Sequence, residues 1–222
     1  VPIKDLHHYE GVRVRFGWVA PLHRLGRHTS GVVVFARHAD AAASLAAQGW
    51  GPARQADSQW IGLEVDGARL VLTDGRTAQA MAASFGVADV AVFDRPLVQP
   101  ALPGTALAFA VAPQASDPWR VQAAAWLAAL GFAPLPVADA PGLVVARTVA
   151  MLINEAADAV LQGVCSPDGA DAAMKLGVNY PAGPFEWLAR WSVDGVTGVI
   201  RALDDEYRGE RYRVSPFLRR SA

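Results

Sequence analysis

GLVVARTVAMLINEAADAVLQGVCSPDGADAAMKLGVNYPAGP, residues 142–184, decides the architecture of the second half of the chain. Its first part reads as one long amphipathic helix. Leu143, Ala146, Val149, Ala150, Ile153, Ala157, Val160 and Leu161 recur at three- and four-residue steps, which stacks them on one face. The alanines at 156, 157 and 159 are strong helix formers, so propensity and pattern agree. Pro141-Gly142 marks the expected start and Gly163 the expected stop. Ser166-Pro167-Asp168 then opens a second helix, because Ser caps and Pro suits the first turn. That helix is expected to run to about Leu176 and to stop at Gly177. A Pro/Gly-rich turn follows over 179–184, and Phe185-Glu186-Trp187-Leu188 begins a third helix.

Upstream, short apolar strands alternate with helices. Gly31–Phe35 is a run suited to a strand covered on both faces. Ala39–Gln48 reads as helix, and Gln59–Thr73 as two strands turning at Asp66-Gly67. Thr77–Phe85 is helix, with Thr77 or Arg76 near its start and Gly86 at its end; Val90–Asp94 and Ala106–Val111 are strands. Asp117-Pro118 caps a helix running to about Leu130 and ended by Gly131, and Phe132–Val137 is the last strand. This alternation predicts an α/β domain with a mainly parallel sheet, followed by an all-α domain. The expected divisions are 1–30 (an N-terminal strand and linker), 31–140 (the sheet domain) and 141–222 (the helical domain).

The charge balance argues against a nucleic-acid partner. There are 20 basic and 21 acidic residues, and no basic patch stands out. No apolar run reaches the roughly 18 residues of a membrane span. The single cysteine, Cys165, excludes an internal disulfide and fits a cytoplasmic location. It sits at a helix junction with no histidine near it in sequence, so a nucleophilic role is disfavoured. His7, His8, His23, His28 and His38 are the only histidines, and no carboxylate or second cysteine completes a metal-ligand spacing around them.

Residues 141–219 resemble the C-terminal helical domain of the 3-hydroxyacyl-CoA dehydrogenases. The matching residues are Pro141-Gly142, Arg147, Asn154-Glu155-Ala156, Gly163-Val164, Asp171, Met174, Gly177, Tyr180-Pro181, Gly183-Pro184-Phe185-Glu186, Arg211-Tyr212 and Ser215-Pro216-Phe217-Leu218-Arg219. The chain looks most like the second half of the long bacterial type, in which a reduced Rossmann-like domain precedes a second helical domain. That resemblance implies a parent enzyme that uses NAD to oxidise a 3-hydroxyacyl-CoA to the 3-ketoacyl-CoA in fatty-acid-like breakdown. It also implies an upstream catalytic half of the same chain and a homodimer formed through the helical domain.

The residues of this segment do not supply the family's chemistry. A dinucleotide site needs a glycine-rich turn between the first strand and its helix, so that backbone amides reach the pyrophosphate. The strand ending at Phe35 continues Ala36-Arg37-His38-Ala39-Asp40, and no G-x-G-x-x-G occurs. Family members use a histidine base, oriented by a glutamate, in a His-Phe-Phe-Asn-Pro segment. The best match here is Phe109-Ala110-Val111-Ala112-Pro113, with Phe109 where the histidine is expected. No histidine follows His38, and no glutamate lies between Glu64 and Glu155. Ala146 stands where the assisting asparagine would precede Arg147. No catalytic or cofactor-binding residue is therefore assigned, and NAD is expected in the full-length enzyme and not on this segment.

Arg147, Asn154 and Glu155 remain as substrate-side candidates. The competing and favoured expectation is architectural. Asn154-Glu155 would make a helix–helix hydrogen bond or a cap holding the 180–185 turn, and Arg147 would pair with a carboxylate inside the domain. The alternative function is an acyl-CoA-binding scaffold, with Arg147 or Arg190 on the CoA phosphates. An active dehydrogenase with an unusual cofactor loop near 36–40 is a further rival.

Overall fold

The computed structural model describes residues 60–65, 67–99 and 101–221. Beyond these it describes two dipeptide strand pairs, Ala20–Pro21 with Phe35–Ala36 and His23–Arg24 with Ala53–Arg54. The expected N-terminal strand (over 11–19), the helix 39–48 and the side chains of the five histidines lie outside the described residues, as does most of the 31–35 run.

Five strands form one sheet in sequence order: β1 (Gly62–Val65), β2 (Ala68–Leu72), β3 (Val90–Phe93), β4 (Ala106–Val111) and β5 (Ala133–Pro136). Helix α1 (Ala78–Phe85) links β2 to β3, and α2 (Asp117–Ala129) links β4 to β5. Both crossovers give parallel pairs. The sheet as a whole is mixed, however, because β1–β2 and β3–β4 are antiparallel. The connections explain this. β1 and β2 follow one another as a hairpin, and the described residues between β3 and β4 include no helix that would bring β4 back in the direction of β3. Leu70, Val71, Met81, Val92, Leu107, Trp119 and Leu127 fill the core between sheet and helices.

Thr77 caps α1 as the sequence suggests, with its hydroxyl accepting from the Ala80 amide at 3.0 Å. Gly86 closes the helix in the left-handed region that a residue without Cβ adopts cheaply. On α2 the cap is Ser116, not Asp117; Asp117 lies in the first turn.

The helical domain comprises α3 (Val145–Leu161), α4 (Pro167–Val178), α5 (Pro184–Trp191), α6 (Val193–Tyr207) and α7 (Pro216–Ser221). The apolar face of α3 buries Val149, Ala150, Ile153 and Ala157 against Trp187, Val199, Ile200, Leu203 and Leu218. Trp187, Trp191 and Leu218 are thus packing anchors, and Phe217 is half-buried beside them. Two boundaries differ from the sequence expectation. Helix α3 begins at Val145, three residues after Gly142, for a reason supplied by the other domain and described below. Helix α4 passes through Gly177 and ends at Asn179, which takes the left-handed conformation itself. Gly177 meets nothing within 4 Å of a Cβ position, so nothing there forces a stop. No helix among the described residues is long and apolar enough to cross a membrane.

Candidate functional site

The first described strand–helix turn of the Rossmann-like domain is Thr73-Asp74-Gly75-Arg76-Thr77, between β2 and α1. Here a dinucleotide enzyme would present free amides to a pyrophosphate. Both oxygens of Asp139 already occupy that end of the helix. They accept from the Ala78 amide at 2.7 Å and the Gln79 amide at 2.9 Å. A carboxylate at a helix N-terminus satisfies the orphan amides and the dipole together. Gly75 faces no ligand space either. A Cβ there would stand 2.8 Å from Val199 Cα and Val199 O on α6. Arg76 is held by Asp74 through two guanidinium bonds of 2.9 and 2.7 Å. The described residues of this turn therefore do not fit a bound dinucleotide.

A cleft of about 410 Å³ opens beside the turn, between the start of α1 and the outer face of α6. Its polar lining includes Asp74, Arg76, Arg201, Asp205 and Glu206. Among the described residues, no cluster of His, Cys, Asp and Glu is arranged to hold a metal ion.

The same use of carboxylates recurs where the two domains meet. Asp94, at the end of β3, is fully buried. It accepts from the amides of Val144, Val145 and Ala146 at 2.9, 2.7 and 2.9 Å. Helix α3 has no capping side chain of its own, so its N-terminus is closed from the sheet domain. This is why the helix starts at Val145. The chain turns through Gly142 and Leu143 with positive φ to present these amides to Asp94. Ala146, where the resemblance places an asparagine, is buried in this joint. Phe109, in the position expected for the histidine, is buried in the sheet opposite Phe93.

Of the substrate-side candidates, Arg147 and Asn154 make hydrogen bonds within the helical domain. Arg147 donates to the Pro141 carbonyl at 3.0 and 2.6 Å and to the Tyr207 hydroxyl at 2.7 Å. Its partners are a carbonyl and a phenol, so the expected carboxylate pairing is corrected. Asn154 donates to the Arg213 carbonyl at 3.1 Å and accepts from the Ser215 amide at 2.7 Å. It holds the 213–215 segment, not the 180–185 turn. That turn is held instead by Asp171, which accepts from the Phe185 amide at 2.7 Å, and by Glu186, which accepts from the Gly183 amide at 3.0 Å. Glu155 is exposed on α3, and Arg190 is exposed on α5 near Glu186. Lys175 donates to Glu186, which holds the carboxyl below its ordinary pKa, and the Gly183 amide acts in the same direction.

Asp158 was not singled out by the sequence. It lies one turn beyond Asn154 on the buried face of α3. It accepts from the Ser215 hydroxyl at 2.5 Å and from Arg213 at 2.7 Å, so the pair Asn154 and Asp158 clamps the start of α7. Ser215→Ala is expected to cost about 2 kcal/mol, the range for losing a hydrogen bond to a charged, largely buried acceptor. Urea unfolding monitored by circular dichroism checks it.

Comparison with known proteins accords with this architecture. Residues 142–222 match the family model for the 3-hydroxyacyl-CoA dehydrogenase C-terminal domain. Residues 70–141 match that for the 3-hydroxybutyryl-CoA dehydrogenase reduced Rossmann-fold domain. A 3-hydroxyadipyl-CoA dehydrogenase of Escherichia coli K12 is 38% identical over 159 residues, covering 72% of this chain and 32% of that protein. The human mitochondrial hydroxyacyl-coenzyme A dehydrogenase is 43% identical over 72 residues, covering 32% of this chain and 23% of its own length. The crystal structure of a 3-hydroxybutyryl-CoA dehydrogenase from Escherichia coli K12 superposes with a TM-score of 0.68 at 36% identity, over 76% of this chain and 34% of that one. The chain thus spans about a third of the length of these two Escherichia coli relatives. Through residues 70–222, a reduced Rossmann-fold domain followed by a helical C-terminal domain, the chain belongs to the 3-hydroxyacyl-CoA dehydrogenase family.

Proposed function

We propose that this segment is a non-catalytic, structural half of a longer NAD-dependent 3-hydroxyacyl-CoA dehydrogenase, which converts a 3-hydroxyacyl-CoA to the 3-ketoacyl-CoA. The observation that carries the reading is Asp139 on the amides of Ala78 and Gln79. An anionic side chain occupies the N-terminus of the helix at the first described strand–helix turn, and an anionic pyrophosphate could not share those donors with it. The sequence supports the same reading, because the family's histidine position holds Phe109. In this account NAD and the acid–base residues belong to an upstream half of the same chain. The helical domain here supplies packing surface to that half and to a second subunit. Its helices place Leu176 and Val178 on the surface at 86% and 59% exposure, as an interface-forming domain would.

Calorimetric titration of the 222-residue protein with NADH, then with acetoacetyl-CoA, tests the proposal. An assay of NADH oxidation with both present completes it. The expected outcome is no NADH binding and no turnover. Micromolar NADH binding with turnover would overturn it, and acyl-CoA binding alone would recast the segment as a binding module.

A further inference from the structure

Strand β5 is an edge of the sheet. It pairs with β4 on one side, and no described strand lies on the other. The pairing is parallel, with Leu107 opposite Pro134 and Phe109 opposite Pro136. In such a strand the N–H and C=O of one residue point to one side and those of the next residue to the other. The Ala133 amide donates to the Thr105 carbonyl at 2.9 Å, and the Val137 amide to the Phe109 carbonyl at 2.9 Å. Positions 133, 135 and 137 therefore turn inward to β4, and 134 and 136 turn outward. Both outward positions are proline. The free edge of β5 thus presents carbonyls and no N–H donor.

An unpaired strand edge is a template for a further strand. In other respects β5 is a sticky one. Leu135 is 51% exposed and Val137 36%, and no charged residue lies between Phe132 and Ala138. A strand laid alongside would bury those side chains. It would find no donor for its carbonyls at two successive outward positions, and it would meet two pyrrolidine rings where backbones must approach to about 4.8 Å. The opposite edge is guarded by charge instead. On β1 the exposed Glu64 pairs with Arg69 at 2.6 Å, and a charged edge also opposes strand addition. Proline is a poor strand residue, so two within four positions do not help β5 in its own pairing with β4. Their effect lies on the outer side.

We propose that Pro134 and Pro136 close the β5 edge to strand addition, and that the addition they prevent is self-pairing with β5 of a second copy of this chain. In an antiparallel pairing about a two-fold axis, the outward amides of each copy would meet the outward carbonyls of the other. The prolines remove those amides. The inference rests on the register of β4 and β5 and is independent of the non-catalytic reading. It leaves any association of the chain to surfaces other than this edge.

Sedimentation velocity of the 222-residue protein over a range of concentrations tests the guard, with circular dichroism to show that each variant is folded. Pro134→Thr combined with Pro136→Thr restores two outward N–H donors. It is expected to strengthen self-association about tenfold or more over wild type, since each restored amide adds a hydrogen bond worth several-fold. Adding Leu135→Lys to that double variant should return the wild-type pattern, because a charge then guards the same edge. Pro113→Ala, which removes a proline from the exposed loop after β4, should change nothing. Each single threonine variant should show an intermediate effect, and the pair decides the matter if the double variant does not fold. A folded proline variant that sediments like wild type at every concentration would overturn the proposal. So would an association that Leu135→Lys does not reverse, because the new contact would then lie elsewhere.

Discussion

Asp94→Ala is expected to cost about 3–5 kcal/mol and to lower the Tm by roughly 10 °C. The residue is fully buried and receives three amides of α3 at 2.7–2.9 Å. Its removal leaves those donors without an acceptor in a buried joint. It also removes a negative charge from the positive end of a 17-residue helix. The penalty therefore exceeds that of an ordinary surface cap, which costs about 1 kcal/mol. Asp94→Asn should lose roughly half as much, since one carbonyl oxygen can still accept while the amide group meets backbone donors. Asp117→Asn, fully exposed on α2, is the control and should stay within about 0.5 kcal/mol of wild type. Denaturant unfolding followed by both tryptophan fluorescence and far-ultraviolet circular dichroism discriminates the cause. If Asp94 joins the domains, the alanine variant should show transitions that no longer coincide. Coincident transitions at the wild-type midpoint would remove Asp94 from this role.

The elements were legible because their signals are local. Hydrophobic steps of three and four gave α3, Thr77 and Gly86 bracketed α1, and the Asp66-Gly67 dipeptide marked the β1–β2 hairpin. Sheet direction was less legible. Alternation of strands and helices suggests parallel pairing everywhere, and only the 94–105 connection, with no helix among its described residues, betrays the antiparallel step between β3 and β4. Least legible were the long-range caps. Asp94 and Asp139 end a strand and a loop in sequence, and nothing local says that their partners lie 50 to 61 residues away. Asn154 shows the same limit. Its presence on a buried helix face announced a hydrogen-bonding role, yet the choice of the 213–215 segment over the 180–185 turn depends on how α7 packs. The missing catalytic groups, by contrast, were readable from sequence alone, since no fold can restore a histidine to a region without one. What the structure adds is how two helix starts are closed: Asp139 takes the first amides of α1 and Asp94 those at the start of α3.

Gly75→Ala should be as damaging as the loss of Asp94, at about 3–4 kcal/mol, and for a purely steric reason. Two effects coincide. Gly75 has a φ of +105°, where a side chain strains the backbone by about 1–3 kcal/mol. Its added Cβ would also lie 2.8 Å from the backbone of Val199 and from Ala202 Cβ. A helix backbone cannot rotate away as a flexible side chain can, so α6 would have to shift off the sheet domain. Gly198→Ala, on α6 next to Val199, should behave in the opposite way. Nothing lies within 4 Å of its Cβ position, and alanine is the better helix former, so a gain of about 0.5–1 kcal/mol is expected. Urea unfolding of both variants supplies the comparison. Opposite signs at these two positions would establish that the domains pack through Gly75. A tolerated Gly75→Ala would show instead that α6 stands free of the turn, and the closed state of the α1 N-terminus would then rest on Asp139 alone.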